Sequence, residues 1–311
     1  MITFVKKHTW YFLLVSPILP ILFPMNIFHF VLIQSMGTQI MLAYAILSIL
    51  FLLRKRMRLS LISLSVTLIL FLFYAPYIKH STRDPSFVKG IKIAHYNVLQ
   101  FNHHYQETIS SAKNCQADLI SFQETDGLWA DELRSGLAKD YPYFHYAQQS
   151  SGFGACVLSK TPISQLKVFY WENKPNIAGQ INTPSGQLKF ITSHTKSPIR
   201  QARFKARNRQ IKELATFLKK SPHNTIAIGD FNTVPWDTAL KNLLNTTNMV
   251  DSRATYAGTY PAWFPKFNLP IDYILHTKDI QCGAFQLLKD TYSDHYGILG
   301  TYRIKKTTSQ S

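Results

Sequence analysis

Acids, amides and histidines recur in this chain where short apolar runs end. Asn97 follows IKIAHY, Glu124 follows DLISFQ and His194 follows KFITS. Asp230 and Asn232 follow TIAIG, Asp272 lies in LPIDYIL, and Asp294 and His295 precede YGILGTY. One such residue is an ordinary turn former or helix cap. Its repetition at strand end after strand end, mostly with amide or imidazole company, points to chemistry instead. Carboxylate and amide oxygens suit a hard divalent cation, and a carboxylate or imidazole can move a proton.

The elements that would carry these residues are short strands and a few helices. Strand patterns cover Ile91–Tyr96, Asp118–Gln123, Phe153–Leu158, Gln187–Thr192, Thr225–Ile228, Ile271–His276 and Tyr296–Tyr302. Helical patterns lie at about Tyr105–Cys115, Leu128–Lys139, Gln201–Lys219 and Trp236–Leu244. Neither repeats nor low-complexity tracts occur. Many strands with a few intervening helices predict an α/β or α+β sandwich.

The motifs resemble those of the endonuclease/exonuclease/phosphatase superfamily, the deoxyribonuclease I-like fold. They are HYNVLQFN (95–102), SFQET (121–125), SHTKSP (193–198), IGDFNTVPWD (228–237), IDYIL (271–275) and YSDHYGI (292–298), in the family's order. The resemblance covers residues 91–303. It implies a four-layer αββα sandwich and hydrolysis of phosphate esters with Mg²⁺ or Mn²⁺. Glu124 matches the principal metal carboxylate, and Asn97 and Asp294 match the residues completing that site. Asp230 and Asn232 match the pair that positions or deprotonates the attacking water. His295 matches the imidazole beside the scissile phosphate, Asp272 its orienting carboxylate, and His194 a phosphate-contacting histidine. The resemblance leaves Asp230 and His295 both open as general base.

The remaining candidates read more plainly. His95, His103, His104 and His145 match no motif and are expected as surface or core histidines. Gly152–Ser159 resembles a structural glycine-then-strand stretch, with Cys156 a buried thiol. Three cysteines, with no CxxC or Cys/His zinc spacing, exclude a disulfide framework. Arg200, Arg203 and Arg207 fall on one face of the helix after His194. That face is solvated by default, and the alternative is contact with a polyanionic substrate. The family's inositol phosphatases continue GD-x-N with Asn-Tyr-Arg, whereas Thr-Val-Pro stands here. A nuclease-like phosphodiesterase is therefore expected. Phospholipid head groups are the alternative substrate, and an inert binding domain is a further class that the intact acids and histidines count against. No protein partner is predicted.

Charge divides the 311 residues. The chain carries 34 Lys+Arg against 17 Asp+Glu, but the first 83 residues hold eight of the basic residues and no acid. Hydrophobic content of 46% and aromatic content of 14% exclude disorder. Apolar stretches at about 10–32, 37–53 and 59–78 predict three transmembrane helices in a membrane anchor (1–83) preceding a catalytic domain (84–311). The first loop is uncharged and the second is Arg54-Lys55-Arg56-Met57-Arg58, a cytoplasmic signal. With three spans, an N-terminus inside and a catalytic domain outside a bacterial inner or plasma membrane are expected, with the lipid bilayer as partner; without a span at 37–53, the catalytic domain falls on the cytoplasmic side.

Overall fold

The computed structural model describes residues 11–12, 14–23, 25–78, 90–149, 153–289 and 292–305. The start of the first apolar stretch at Trp10, the basic Lys6 and Lys7, and the linker at 79–89 lie outside these residues. The chain divides into two compact units, residues 1–80 with 234–238, and residues 81–233 with 239–311.

The first unit departs from the expected three spans. The stretch at 10–32 is not one helix. A 3-10 turn at Ser16–Ile18 and α1 (Leu19–Leu22) precede a separate α2 (Phe28–Ser35). Pro17 and Pro20 occupy the first turns of the two short helices. There a missing N–H costs nothing, whereas inside a longer helix it would break the ladder. α3 (Gly37–Leu53) follows at 62° to α2, and α4 (Met57–Ile78) completes the series. Among the described residues, α4 alone is long and apolar enough to cross a membrane, with α2 and α3 a second candidate if counted as one bent span. In place of three separate spans, the described residues thus offer one or two candidates by length and composition. α3 and α4 join through reciprocal bonds in which the Ser48 and Ser60 hydroxyls each donate to the other's carbonyl, at 3.1 and 2.9 Å. Their outer surface exposes Ile46, Ile49, Leu53, Leu61, Leu64, Leu68 and Leu72.

The second unit contains two six-stranded sheets. One has the order β11-β12-β1-β2-β4-β3, and the other β5-β6-β7-β8-β10-β9. In the first sheet the strands are β1 (Ile91–Asn97), β2 (Leu119–Thr125), β3 (Tyr143–Ala147), β4 (Gly154–Ser159), β11 (Ile280–Leu288) and β12 (Gly297–Ile304). In the second they are β5 (Ile163–Trp171), β6 (Lys174–Thr183), β7 (Gly186–Ser193), β8 (Thr225–Asp230), β9 (Met249–Asp251) and β10 (Asp272–Thr277). The central pairs β1–β2 and β7–β8 are parallel and their neighbours antiparallel. Helices α5 (Tyr105–Cys115) and α6 (Gly127–Leu137) return the chain beside the first sheet, and α7 (Gln201–Lys219) and α8 (Thr238–Thr246) beside the second.

Period-2 alternation builds the layers. On β1, Ile91 and Ile93 join Ile177, Phe190, Ile226 and Ile274 between the sheets. Ala94 and Tyr96 turn the other way, onto Ile109 of α5 and Trp129 of α6. On the second sheet, Ile191, Ala227 and Tyr273 face Ile211 and Leu214 of α7. The result is helix, sheet, sheet, helix, as expected from the motifs. Strands β3, β5, β6, β9 and β11 were not legible: β3, β5, β9 and β11 lie at sheet edges, and the internal β6 carries Pro175 and Gly179. The last helix begins at Thr238, two residues after the expected Trp236.

Candidate active site

The parallel pairs bring the ends of β1, β2, β7 and β8 to one rim, where the alternation that packs Ile93 inward also points His95 and Asn97 inward. Just beneath the rim the inter-sheet layer turns polar. The Ser121 and Thr192 hydroxyls lie 2.6 Å apart, and the Gln123 amide donates to Thr192 at 3.1 Å. The Gln123 oxygen accepts the Asp230 backbone N–H at 2.9 Å, pinning the end of β8 to β2.

Two backbone devices aim the acids. Glu124 sits at φ 61°, where the register of β2 against β4 slips between Gln123 and Thr125. A bulge of this kind re-aims a side chain that regular pleating would send elsewhere. Gly229, at φ 143°, precedes Asp230, and a Cβ there would lie 2.1 Å from the Ser193 carbonyl. The glycine of the GDFN motif is thus required by both conformation and close approach. Gly229→Ala is expected to destabilise the protein by on the order of 3 kcal/mol, measurable as a lowered midpoint in denaturant.

The side chains then converge. The Asn97 amide donates to Glu124 Oε1 and to Asp230 Oδ2, both at 3.3 Å. Asn232 donates to Asp230 through its backbone N–H at 2.8 Å and its amide at 3.1 Å. His194 Nε2 lies 3.7 Å from both Glu124 Oε1 and Asp230 Oδ2. His295 Nε2 lies 3.9 Å from Asp230 Oδ2, and its Nδ1 contacts Asp272 Oδ2 at 2.8 Å. Asp294 is held beside them by Ser293, whose hydroxyl also donates to the Asn97 carbonyl at 2.7 Å. All eight residues expected to hold metal or act on substrate therefore come to one rim.

Electrostatics at the rim is a balance of burial and charge. Burial works against a charge on His295, but the Asp272 carboxylate and its hydrogen bond push it up to about 10. Burial would likewise raise Asp272, yet the His295 charge, its hydrogen bond and the His95 contact hold it below the usual carboxylate range. Asp230 is pushed well above that range, first by burial and then by the Asp272 charge, with Glu124 adding. Burial, followed by the Lys174 ammonium, drives His194 well below the ordinary imidazole value.

The three arginines do not share one open face. Arg200 is the residue before α7, in extended conformation, and Arg203 is exposed on the first turn. Arg207 is fully buried and donates to the Asn232 carbonyl at 3.2 Å and to Asn208 Oδ1 at 2.7 Å. Helical periodicity places residues by angle and cannot show that one position points into the protein.

His95, expected to be bland, is fully buried between the sheets with Nε2 3.2 Å from Asp272 Oδ1. Its Nδ1 has no partner among the described residues, so the ring donates from Nε2. Asp272 thus stands between two imidazoles. The only sequence hint was a histidine at an inward position of an apolar strand. His95→Phe is expected to leave Asp272 Oδ1 unpaired, costing about 1–3 kcal/mol of stability and lowering turnover. His95→Gln, which can still donate, should recover most of both in thermal unfolding and steady-state assays. Cys156 is buried as expected, and burial pushes its thiol up to about 12.

Residues 94–295 match the family model described as "Endonuclease/Exonuclease/phosphatase family". The chain belongs to that family. Family members hydrolyse phosphoric esters with a divalent metal, and this chain is an enzyme of that class. No curated protein matches the sequence. Solved structures share the fold. An endonuclease/exonuclease/phosphatase from Beutenbergia cavernae aligns with TM-score 0.61 at 14% identity, over 70% of this chain and 72% of that one. D. rerio TDP2 complexed with a single-strand DNA product aligns with TM-score 0.59 at 18% identity, over 69% and 99%. A mannosyl-6-phosphatase from Bacteroides thetaiotaomicron aligns with TM-score 0.57 at 18% identity, over 68% and 99%.

Proposed function

We propose that this family member is a membrane-anchored, Mg²⁺- or Mn²⁺-dependent phosphodiesterase, nuclease-like in substrate, with its catalytic domain outside the cytoplasm. The observation that carries the chemical reading is the gathering of Asn97, Glu124, His194, Asp230, Asn232 and the Asp272–His295 pair at one rim.

The residues present fit a hard divalent cation. Glu124 and Asp230 have no Lys or Arg within 4.0 Å among the described residues, and burial followed by the neighbouring Asp272 charge pushes Asp230 upward despite His295 at 3.9 Å. Asp230, Asp272 and His295 also lie close enough to one another to offer a ligand set. Both Asp272 oxygens and His295 Nδ1 are already engaged in hydrogen bonds, however, so that trio reads as a proton relay. We assign the cation to Glu124, with Asn97 and Asp294 completing its shell. Bound there, a cation would neutralise charge developing on the phosphoryl and leaving oxygens. Asp230, fixed by Asn232 and raised in basicity, takes the proton of the attacking water. His295, held as imidazolium by Asp272, donates to a phosphoryl oxygen, and neutral His194 contacts another.

Diester preference is supported by the Thr-Val-Pro continuation after Asn232, and a single-strand DNA product sits on the similar D. rerio protein. One observation favours a second reading, cleavage of a phospholipid head-group ester. The loop carrying exposed Trp263 and Phe264 is tied to the rim by the Ala262 N–H, which donates to the Asp294 carbonyl at 2.7 Å. The full chain in detergent, given Mg²⁺ and offered DNA, RNA, phospholipid vesicles and a small chromogenic diester, decides between them. Cleavage of nucleic acid supports the first reading, and cleavage of lipid alone replaces it with the second.

Anchoring is supported by the apolar outer surface of α3 and α4 and by the 22 residues of α4, about 33 Å of helix at 1.5 Å per residue. Orientation rests on the basic segment Arg54–Arg58, which stays cytoplasmic and sends the end of α4 outward. Protease added to intact spheroplasts is expected to degrade the catalytic domain. Full protection would place it on the cytoplasmic side.

A further inference from the structure

Lys174, the first residue of β6, is a cation with no direct ion-pair partner among the described residues. It is only 7% exposed. Its ammonium lies 3.5 Å from His194 Nδ1 and 4.5 Å from the centre of the Phe153 ring. No carboxylate lies within 4.0 Å of it among the described residues; the rim acids Glu124 and Asp230 are close to the far side of His194 instead. Burial lowers Lys174 to about 8 against the pull of Glu124 and Asp230, and Arg203 and Lys196 add to the positive charge around it.

Burying an ammonium away from water is costly unless a partner compensates. A neutral imidazole nitrogen accepts one of its three protons and the Phe153 face attracts it weakly. Neither cancels its charge. The contact also fixes the His194 tautomer: Nδ1 accepts from Lys174, so Nε2 carries the hydrogen that faces the rim. The two side chains thus form a connected donor pair on the β6–β7 side of the site, opposite Asp272 and His295.

We propose that Lys174 is a substrate-binding residue whose missing partner is a phosphoryl oxygen, held jointly by its ammonium and the His194 Nε2–H. The inference rests on the phosphoester reading of the site and names the anion subsite within it. The subsite gives a mononegative diester a contact for the phosphoryl oxygen not taken up by the cation. It also suits the extra charge of a phosphate monoester product. Lys196 and Arg203 then bias the approach to this side for polyanions.

The test is calorimetric titration of the full chain in detergent with inorganic phosphate in the presence of Mg²⁺, comparing wild type with Lys174→Met. Met retains the unbranched stem against Phe153 and removes the charge. The Kd for phosphate is expected to rise about tenfold to a hundredfold, the scale of one lost charge-assisted hydrogen bond. Thermal stability without phosphate should hold or increase, because the buried charge is gone. Lys174→Arg, which keeps the charge, should bind phosphate more tightly than Lys174→Met. Unchanged phosphate affinity in a folded Lys174→Met, even with slower turnover, would overturn the proposal and leave Lys174 as a prop for His194. Because the readout is binding, the outcomes separate: wild-type protein that binds phosphate through Lys174 but cleaves no diester counts against the phosphodiesterase reading and keeps the subsite.

Discussion

His295→Ala is expected to lower turnover by at least ~10²-fold, the usual scale for a lost acid–base group, with KM little changed. The expectation follows from the geometry on both sides of the ring. Asp272 Oδ2 accepts Nδ1–H at 2.8 Å, which fixes the ring and favours its charged form. Nε2 is thereby turned to the rim, 3.9 Å from Asp230 Oδ2. An imidazolium preset in this way costs no reorganisation when charge develops on a phosphoryl oxygen. Asp272→Asn should act in the same direction without removing the ring, because an amide cannot hold the imidazolium as a carboxylate does. Steady-state kinetics on a small diester checks both. Normal turnover in His295→Ala would remove this residue from the chemistry and leave Asp230 acting alone.

Glu124→Gln is expected to raise the Mg²⁺ concentration needed for half-maximal activity by ~10²-fold or more. Loss of an outer-shell partner commonly costs about 10–100-fold in metal affinity or activity, and loss of a direct carboxylate should cost no less. The substitution keeps size and shape, so the left-handed bulge at the end of β2 persists and the fold should be untouched. Its neighbours cannot substitute for it. Asp230 is engaged by Asn232 and by the backbone pinned to Gln123, and Asn97 brings no charge. An unchanged metal requirement would move the cation to the Asp230, Asp272 and His295 group, which lies close enough to form a ligand set.

The strand-end residues could be read from sequence because a parallel strand leaves its core at a fixed end, and apolar runs mark where that happens. Asn97, Glu124, Asp230 and His295 each announce themselves as a polar residue terminating or flanking such a run. Residues whose role depends on the opposite sheet do not. His95 meets Asp272 across 177 positions of sequence, and nothing in IKIAHY distinguishes it from a core histidine. Lys174 opens a strand whose Pro175 and Gly179 hide its pattern, and its neighbour His194 arrives 20 residues later. Arg207 shows the converse error. Its helical angle is as expected, but its guanidinium is buried and donates to the Asn232 carbonyl and to Asn208.

The N-terminal reading had the same limit. Apolar length alone made residues 10–32 a span, while Pro17 and Pro20 restart the helix and break it into short pieces. Composition sets the region apart within the sequence, because eight basic residues and no acid are a chemical property of the segment. Where the helices begin and turn is a backbone property, decided by donors that proline lacks.

Metal dependence is tested most directly by hydrolysis of a small chromogenic diester by the full chain in detergent. The protein is stripped with EDTA and Mg²⁺ or Mn²⁺ is then titrated back. The rim geometry predicts loss of activity on stripping and saturable recovery with either ion, with Glu124→Gln recovering only at far higher concentration. Undiminished hydrolysis after complete removal of divalent metal would contradict it.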